Sequence, residues 1–155
     1  MLEWKPEYET GVPTVDAQHG MLFNNLNLLE TLLAQEAFNP TEANYLLNFL
    51  ERYATQHFHD EESCMARFRC PAYAKNRAEH ANFMEIVRVA RAQFDESDRQ
   101  KEILKRLHES MVWWIHHHIL RVDIQLRNYA RAEQRVAYPG PTRPAAQSHD
   151  LGEVR

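Results

Sequence analysis

Four segments of the chain carry side chains that can bind a metal ion, each on what is predicted to be a long amphipathic helix. They contain His19, His57 with Glu61, His80, and His118 with Asp123. Imidazole nitrogens and carboxylate oxygens that converge from separate helices are the ligands that a buried two-metal site needs. The pattern therefore predicts a metal centre between helices.

The pair His57 and Glu61 gives the clearest signal. Residues four apart project from the same face of a helix, and this face is otherwise apolar. A single histidine on such a face is usually a hydrogen-bonded core residue, but all four predicted helices carry one. A buried glutamate is costly unless it is paired or binds a metal, and no Lys or Arg lies on these faces. A metal ion is the better explanation.

Two positions depart from a simple pattern of ligands at helical spacing. His118 and Asp123 are five residues apart, which is about 140° on an ideal helix, so periodicity alone does not pair them. Asp123 follows Val122, at the edge of the apolar face, and could reach the core from there. Asn76 lies one turn before His80, where a second ligand is expected.

The remaining polar residues near these positions are expected to lie elsewhere. Glu62 is expected to be solvated, and Trp114 to be more buried than Trp113. Four other histidines lie off the apolar faces and are predicted to be surface groups or indirect neighbours of the site: His59, His108, His116 and His117.

Apolar residues recur at helical spacing over four segments, and no glycine occurs between Gly20 and Gly140. This pattern favours helices over a turn-rich β fold. We predict an all-α, up-down-up-down antiparallel four-helix bundle, preceded by an extended N-terminal arm. The expected ranges are 1–13 for the arm, then 14–37, 41–67, 71–95 and 98–126 for the helices.

The 155 residues are expected to form one domain, residues 1–135, followed by a proline-containing disordered tail, residues 136–155. The net charge of −4 and the absence of a basic block argue against nucleic-acid binding. No apolar run is long enough for a bilayer, and the N-terminus does not look like a signal peptide. A cytoplasmic location without membrane association is therefore expected.

At this point the sequence resembles bacterial hemerythrins, the non-haem di-iron oxygen-binding family. The resemblance covers about residues 1–130 and is carried by five segments. They are Trp4, residues 11–19 (GVPTVDAQH), residues 57–62 (HFHDEE) with Met65, Pro71 with Glu79-His80, and Trp114 with residues 118–123 (HILRVD). Together these motifs are specific, although none of them suffices alone.

The resemblance implies two iron ions joined by an oxo or hydroxo bridge. His19 and His57 would bind one iron, His80 and His118 the other, and Glu61 and Asp123 would bridge them. The family has a further histidine where this chain has Asn76. An amide oxygen is a weaker donor than imidazole, so Asn76 is either a weak ligand or leaves the position vacant.

Three functions remain open at this stage. The first is binding of dioxygen, for storage or delivery, in a pocket walled by residues such as Leu22, Phe83, Met111 and Trp114. The second is a sensor of oxygen, nitric oxide or redox state that acts through a separate, unidentified protein partner. The third is a small di-iron peroxidase or oxidase that uses the open position at Asn76. The pattern favours a non-enzymatic binder and leaves enzymatic activity open.

Overall fold

The computed structural model describes residues 1–130, which contain four long helices. They are α1 (Pro13–Ala34), α2 (Pro40–Arg67), α3 (Tyr73–Glu96) and α4 (Gln100–Arg121). Each helix packs against its neighbours in sequence, and α1 also packs against α4, which closes the bundle. The predicted all-α four-helix bundle is confirmed. The predicted domain boundary at residue 135 and the tail lie outside the described residues.

The helix ends differ from the predicted ones because proline and asparagine set them. The helix α1 begins at Pro13 and α2 at Pro40, and proline at a first helical position needs no hydrogen bond for its nitrogen. Asn39 caps α2: its side chain accepts hydrogen bonds from the backbone N–H groups of Thr41 and Glu42. Pro71 lies before α3, which begins at Tyr73.

The N-terminal arm is not fully extended, because Pro6–Tyr8 forms a turn of 3-10 helix. The Tyr8 ring is buried, and its hydroxyl lies 2.9 Å from Nδ1 of His116. At the end of the arm, Gly11 has a φ of +79°, a conformation that favours glycine. The Asp16 carboxylate accepts hydrogen bonds from Thr10 and from the N–H of Gly11, which fixes the arm against the first turns of α1.

The predicted fourth helix is interrupted. It ends at Arg121, and a 3-10 turn follows at Asp123–Gln125 before the chain is helical again at residues 126–130. The break lies at Val122, whose φ of −115° and ψ of −61° depart from helical values. The interruption changes the direction of the Asp123 side chain, which matters for the site.

The apolar core fills the bundle from the loop between α1 and α2 to about the middle of the helices. Its fully buried residues include Leu29, Leu47 and Leu104. On α2, Leu47 lies in this core, whereas its neighbour Leu46 is only partly buried. No helix within residues 1–130 has both the length and the apolar character that crossing a membrane requires.

Candidate metal centre

The predicted site residues come together in the half of the bundle that lies nearer the N-terminus of α1. The helix α1 supplies His19, α2 supplies His57 and Glu61, α3 supplies Asn76 and His80, and α4 with the turn after it supplies His118 and Asp123. All seven side chains are buried, none with more than 3% of the residue exposed. The structure therefore groups every residue that the sequence pattern singled out.

The possible ligand atoms form two overlapping groups. The first cluster is His19, His57 and Glu61; the second cluster is Glu61, His80, His118 and Asp123. Within each cluster one nitrogen or oxygen atom per residue lies within 4.8 Å of the others, a spacing that could hold a metal ion. Because Glu61 belongs to both clusters, the two positions are adjacent.

Asp123 also reaches both clusters. Its Oδ1 lies 3.0 Å from Nε2 of His118, and its Oδ2 lies 3.4 Å from Nε2 of His19. This contact is possible because α4 ends at Arg121; a continuous helix would turn residue 123 about 140° away from His118. Asp123 therefore lies between the two clusters and not at the edge of the apolar face, where the sequence placed it.

Several buried polar atoms in the site have no hydrogen-bond partner among the described residues. They are both ring nitrogens of His19, Oε1 of Glu61 and both carboxylate oxygens of Asp123. A buried polar atom without a partner costs about 1–3 kcal/mol, more if it is charged. A cation bound between the clusters would supply the missing partner. The donor set, imidazole with carboxylate, suits a first-row transition metal such as iron or manganese.

The histidines of the second cluster crowd together. Nε2 of His118 lies 3.1 Å from Nε2 of His80, and Nδ1 of each ring is hydrogen-bonded to a carboxylate outside the cluster. In a neutral ring whose Nδ1 carries the proton, Nε2 has only a lone pair. Two such lone pairs repel at this distance, and either a proton on one ring or a metal ion between the rings would relieve the repulsion.

The charges of the metal-free site are unevenly spread. Burial, and then the nearby Asp123, raise the pKa of Glu61 to about 8, whereas burial and the neighbouring His118 lower the pKa of His80 to about 4. Burial also lowers the pKa of His57 well below its usual range. For Asp123, burial acts to raise the pKa, but the rings of His118 and His19 outweigh it and the net shift is downward. Burial also acts to lower the pKa values of His19 and His118, but the nearby carboxylates of Asp123 and Glu61 outweigh it and the net shift is upward. Burial and the repulsion between the two carboxylates make the metal-free site electrostatically unfavourable.

Asn76 occupies the middle of the second cluster and is fully buried. Its Oδ1 lies 2.8 Å from Nε2 of His118, and its Nδ2 donates a hydrogen bond of 3.3 Å to Oε2 of Glu61. The amide is thus in direct contact with two of the predicted ligands. Whether it binds a metal or stands beside it stays a prediction.

Three residues that sequence reasoning did not select hold the histidine rings from outside. We call them the outer partners: Gln18, Glu62 and Glu79. They contact Nδ1 of His57 at 3.2 Å, of His80 at 3.0 Å and of His118 at 2.6 Å, respectively. The expectation that Glu62 is simply solvated is wrong, because its carboxylate is only 26% exposed and faces His80.

The outer partners have one sequence feature in common. Each of them is directly next to a predicted ligand in sequence, Gln18 beside His19, Glu62 beside Glu61 and Glu79 beside His80. A residue next to an inward-facing one points sideways, towards the adjacent helix. Each outer partner therefore serves a histidine on a different helix from its own.

A small cavity adjoins both clusters. It has a volume of about 20 Å³, and almost all of its exposed wall is hydrocarbon. The walls that were predicted from sequence, Leu22, Phe83, Met111 and Trp114, all line it. The others that line it are His19, Leu26, Ala54, His57, Phe58, Ile115, His118, Ile119 and Asp123.

Aromatic rings cover two of the ligand imidazoles. The Trp114 ring stacks on that of His118, with centroids 4.2 Å apart and planes 14° apart, and Phe58 stacks on His80 at 3.7 Å. Trp113, in contrast, is 62% exposed, so the expected difference between the two tryptophans is confirmed. These rings keep water away from the second cluster.

The other histidines lie outside both clusters. The ring of His108 is hydrogen-bonded to the carbonyl of Leu26, that of His116 to Tyr8, and that of His117 to the carbonyl of Trp113. His59 is exposed on α2. Their assignment as surface groups or indirect neighbours of the site is consistent with these contacts.

The chain matches known proteins along most of its length. The hemerythrin HHE cation binding domain matches residues 10–139. A bacteriohemerythrin of Clostridium acetobutylicum is 30% identical over 126 residues, which cover 79% of this chain and 96% of that protein. A bacteriohemerythrin of Stenotrophomonas maltophilia is 25% identical over 154 residues, which cover 92% and 95%. A hemerythrin subunit beta of Lingula anatina is 29% identical over 85 residues, which cover 55% and 65%. The resemblance inferred from the motifs is confirmed, and the chain belongs to the hemerythrin HHE cation binding domain family.

Proposed function

We propose that this protein binds dioxygen at a pair of non-haem iron ions, as a protein of oxygen storage or delivery. The proposed ligands are His19 and His57 for one iron, His80 and His118 for the other, with Glu61 and Asp123 shared between them. The support is that both clusters place nitrogen and oxygen atoms close together, and that buried atoms of three of these residues lack hydrogen-bond partners. The relatives that carry hemerythrin names agree with this proposal.

The observation that carries the oxygen-binding part is the cavity. Its volume of about 20 Å³ accommodates roughly one water-sized molecule, so a diatomic gas fits and an organic substrate does not. Iron, when bound, would supply the electrons that dioxygen binding requires. The apolar walls, including Leu22 and Met111, exclude water and so protect the bound gas from protons.

The test is to load the metal-free protein anaerobically with ferrous iron and then to admit oxygen. We expect about two irons per chain, and a visible charge-transfer band that appears with oxygen and disappears when oxygen is removed. The variant His57→Ala should lose iron, whereas His59→Ala should not, because His59 lies two residues away on the exposed side of the same helix. An iron content near zero in the unaltered protein would contradict the proposal.

Asn76 favours one alternative, a small di-iron peroxidase. Its amide is a weaker donor than imidazole, and a metal with a weakly held ligand has a position open for reaction. Hydrogen peroxide is small enough for the cavity. Steady consumption of peroxide with an electron donor, in place of a reversible band with oxygen, would favour this alternative.

A further inference from the structure

The two clusters differ in the groups that contact Nδ1, the outer ring nitrogen, of their histidines. In the second cluster both rings are held by carboxylates: Glu62 contacts Nδ1 of His80 at 3.0 Å, and Glu79 contacts Nδ1 of His118 at 2.6 Å. A carboxylate can only accept a hydrogen bond, so each Nδ1 carries a proton, and in a neutral ring Nε2 faces the cluster with a lone pair that can bind a metal. Such contacts orient a ligand ring and make it a stronger donor.

In the first cluster, no carboxylate among the described residues contacts the outer nitrogen, Nδ1, of either ring. Nδ1 of His57 lies 3.2 Å from the neutral amide oxygen of Gln18. A carboxylate follows only behind this amide, where Nε2 of Gln18 donates a hydrogen bond to Asp60. Among the described residues, Nδ1 of His19 has no hydrogen-bond partner.

Nearby cations cancel little of the charge of Glu62 and Glu79. Arg77 lies 3.6 Å from Glu62, and Lys75 lies 3.6 Å from Glu79. Both cationic side chains are mostly exposed, at 61% and 59%, whereas the two carboxylates are exposed by only 26% and 32%. Exposed ion pairs of this kind are weak and are screened by salt. The negative charge is therefore felt mainly on the imidazole side.

The same cluster contains the weakest of the predicted donors, Asn76. Its amide oxygen lies 2.8 Å from Nε2 of His118, inside the group of ligand atoms. The second cluster, where Asn76 replaces a histidine of the family, is thus also the cluster with two outer carboxylates. We infer that Glu62 and Glu79 are positioning residues that compensate for Asn76, so that the second cluster binds its metal firmly and stabilises its more oxidised state. This inference rests on the proposed function.

Glu79 allows orientation and charge to be tested separately. Glu79→Leu removes both the hydrogen-bond acceptor and the charge, whereas Glu79→Gln keeps an oxygen that can accept from Nδ1 of His118. Metal affinity is measured by titrating the metal-free protein with Co²⁺ against a chelator. We expect Glu79→Leu to weaken one of the two binding steps by about 10–100-fold.

The iron-loaded variants test the charge. Glu79→Gln should bind two irons, and the reduction potential of one iron should move to a more positive value, because a nearby negative charge that favours the oxidised ion is lost. Glu62→Gln should act in the same direction. Glu85→Gln is the matched control, since Glu85 lies on the same helix as Glu79 and, within residues 1–130, pairs only with Arg88 on the surface. Its potential should equal that of the unaltered protein.

Gln18→Leu tests whether the two sides are distinct, because it should weaken the Co²⁺ binding step that Glu79→Leu leaves intact. Thermal unfolding of each metal-free variant shows whether the fold is retained. If the unaltered protein binds two Co²⁺ ions while Glu79→Leu behaves like Glu85→Gln, this inference fails and the proposed function stands. An unchanged potential in Glu79→Gln would also overturn it, and a chain that binds neither Co²⁺ nor iron would contradict the proposed function itself.

Discussion

The two halves of the bundle are built from the same four helices, but one half buries apolar side chains and the other buries polar ones. In the half near the loop between α1 and α2, leucines such as Leu29, Leu47 and Leu104 are fully buried and belong to one apolar cluster. In the other half, the same inward positions hold imidazoles and carboxylates, and five of their buried atoms have no hydrogen-bond partner among residues 1–130. One half stabilises the fold, and the other half carries groups that a metal ion would satisfy.

This contrast explains how a bundle of this size can keep so costly a site. Burial of leucine side chains contributes about 1.5–3 kcal/mol each, and the apolar half provides several of them. Carboxylate and imidazole groups in the other half reduce the stability of the metal-free chain. Metal binding should then return part of that stability, because a ligand that binds only the folded state favours it.

The largest effect on stability is expected in the apolar half. Leu47→Ala should lower the free energy of unfolding by about 2–5 kcal/mol, because Leu47 is fully buried and its loss leaves a cavity. Denaturant unfolding of the metal-free protein measures this. Leu28→Ala is the control, since Leu28 is 58% exposed on α1 and should change stability little. Loss of metal binding in a folded Leu47→Ala protein would contradict the division between the halves.

In the half that holds the predicted metal ligands, we expect a substitution to change the free energy of unfolding in the opposite direction. Glu61→Leu should raise the free energy of unfolding of the metal-free protein by about 1–2 kcal/mol. Burial raises the pKa of Glu61 to about 8, so folding at neutral pH makes this carboxyl group take up a proton at a free-energy cost that leucine does not carry. The same variant should lose both metals, since Glu61 belongs to both clusters. A fall in stability would mean that the hydrogen bond from Asn76 to Glu61 outweighs the burial cost.

Much of this contrast could be predicted from the sequence. Helical periodicity predicted the four helices, and polar residues at inward positions predicted His19, His57, Glu61, His80 and His118 as one group. The pattern works because a histidine or glutamate on an apolar face is costly and therefore informative. It carried no equal signal for the outer partners, whose positions beside a ligand look like ordinary helix surface.

The position of Asp123 and the ends of the helices depend on local backbone geometry, which helical periodicity does not predict. Asp123 reaches the site because α4 ends at Arg121 and the chain tightens into a 3-10 turn, an event set by local backbone angles at Val122. The ends of α2 and α3 moved by one to two residues from the predicted positions, because Asn39 caps one and Pro71 lies before the other. Element boundaries are the least certain part of any such prediction.

A smaller effect is expected at Asn76, where the two clusters differ most. Asn76→His would add an imidazole within the second cluster, next to His118. We expect the oxygen adduct to persist on the order of tenfold longer, about 1.4 kcal/mol, because the added donor closes a reactive position. The measurement is the autoxidation rate of the oxygenated protein.

Asn82→His is the matched control for this change. Asn82 is exposed on the same helix, so a histidine there should leave the autoxidation rate unchanged. An equal rate in Asn76→His and Asn82→His would mean that the amide of Asn76 already serves as an adequate ligand, and the second cluster would then be complete without a further imidazole.

The smallest effect on stability is expected at the boundary between the halves, at Ala54. This residue is buried on α2, one turn before Phe58, and lines the cavity. Ala54→Val adds two methyl groups that should fill much of the void of about 20 Å³, a gain that the lower helix propensity of valine, about 0.5 kcal/mol, nearly cancels. The free energy of unfolding should therefore change by less than about 0.5 kcal/mol.

Oxygen binding, followed by stopped-flow absorption, should be slower while the iron content stays the same. Ala66→Val, on the exposed side of the same helix, isolates the propensity cost alone. If oxygen binds Ala54→Val as fast as the control, the gas reaches the iron by another route, and the cavity is a packing defect between the halves and not the binding pocket.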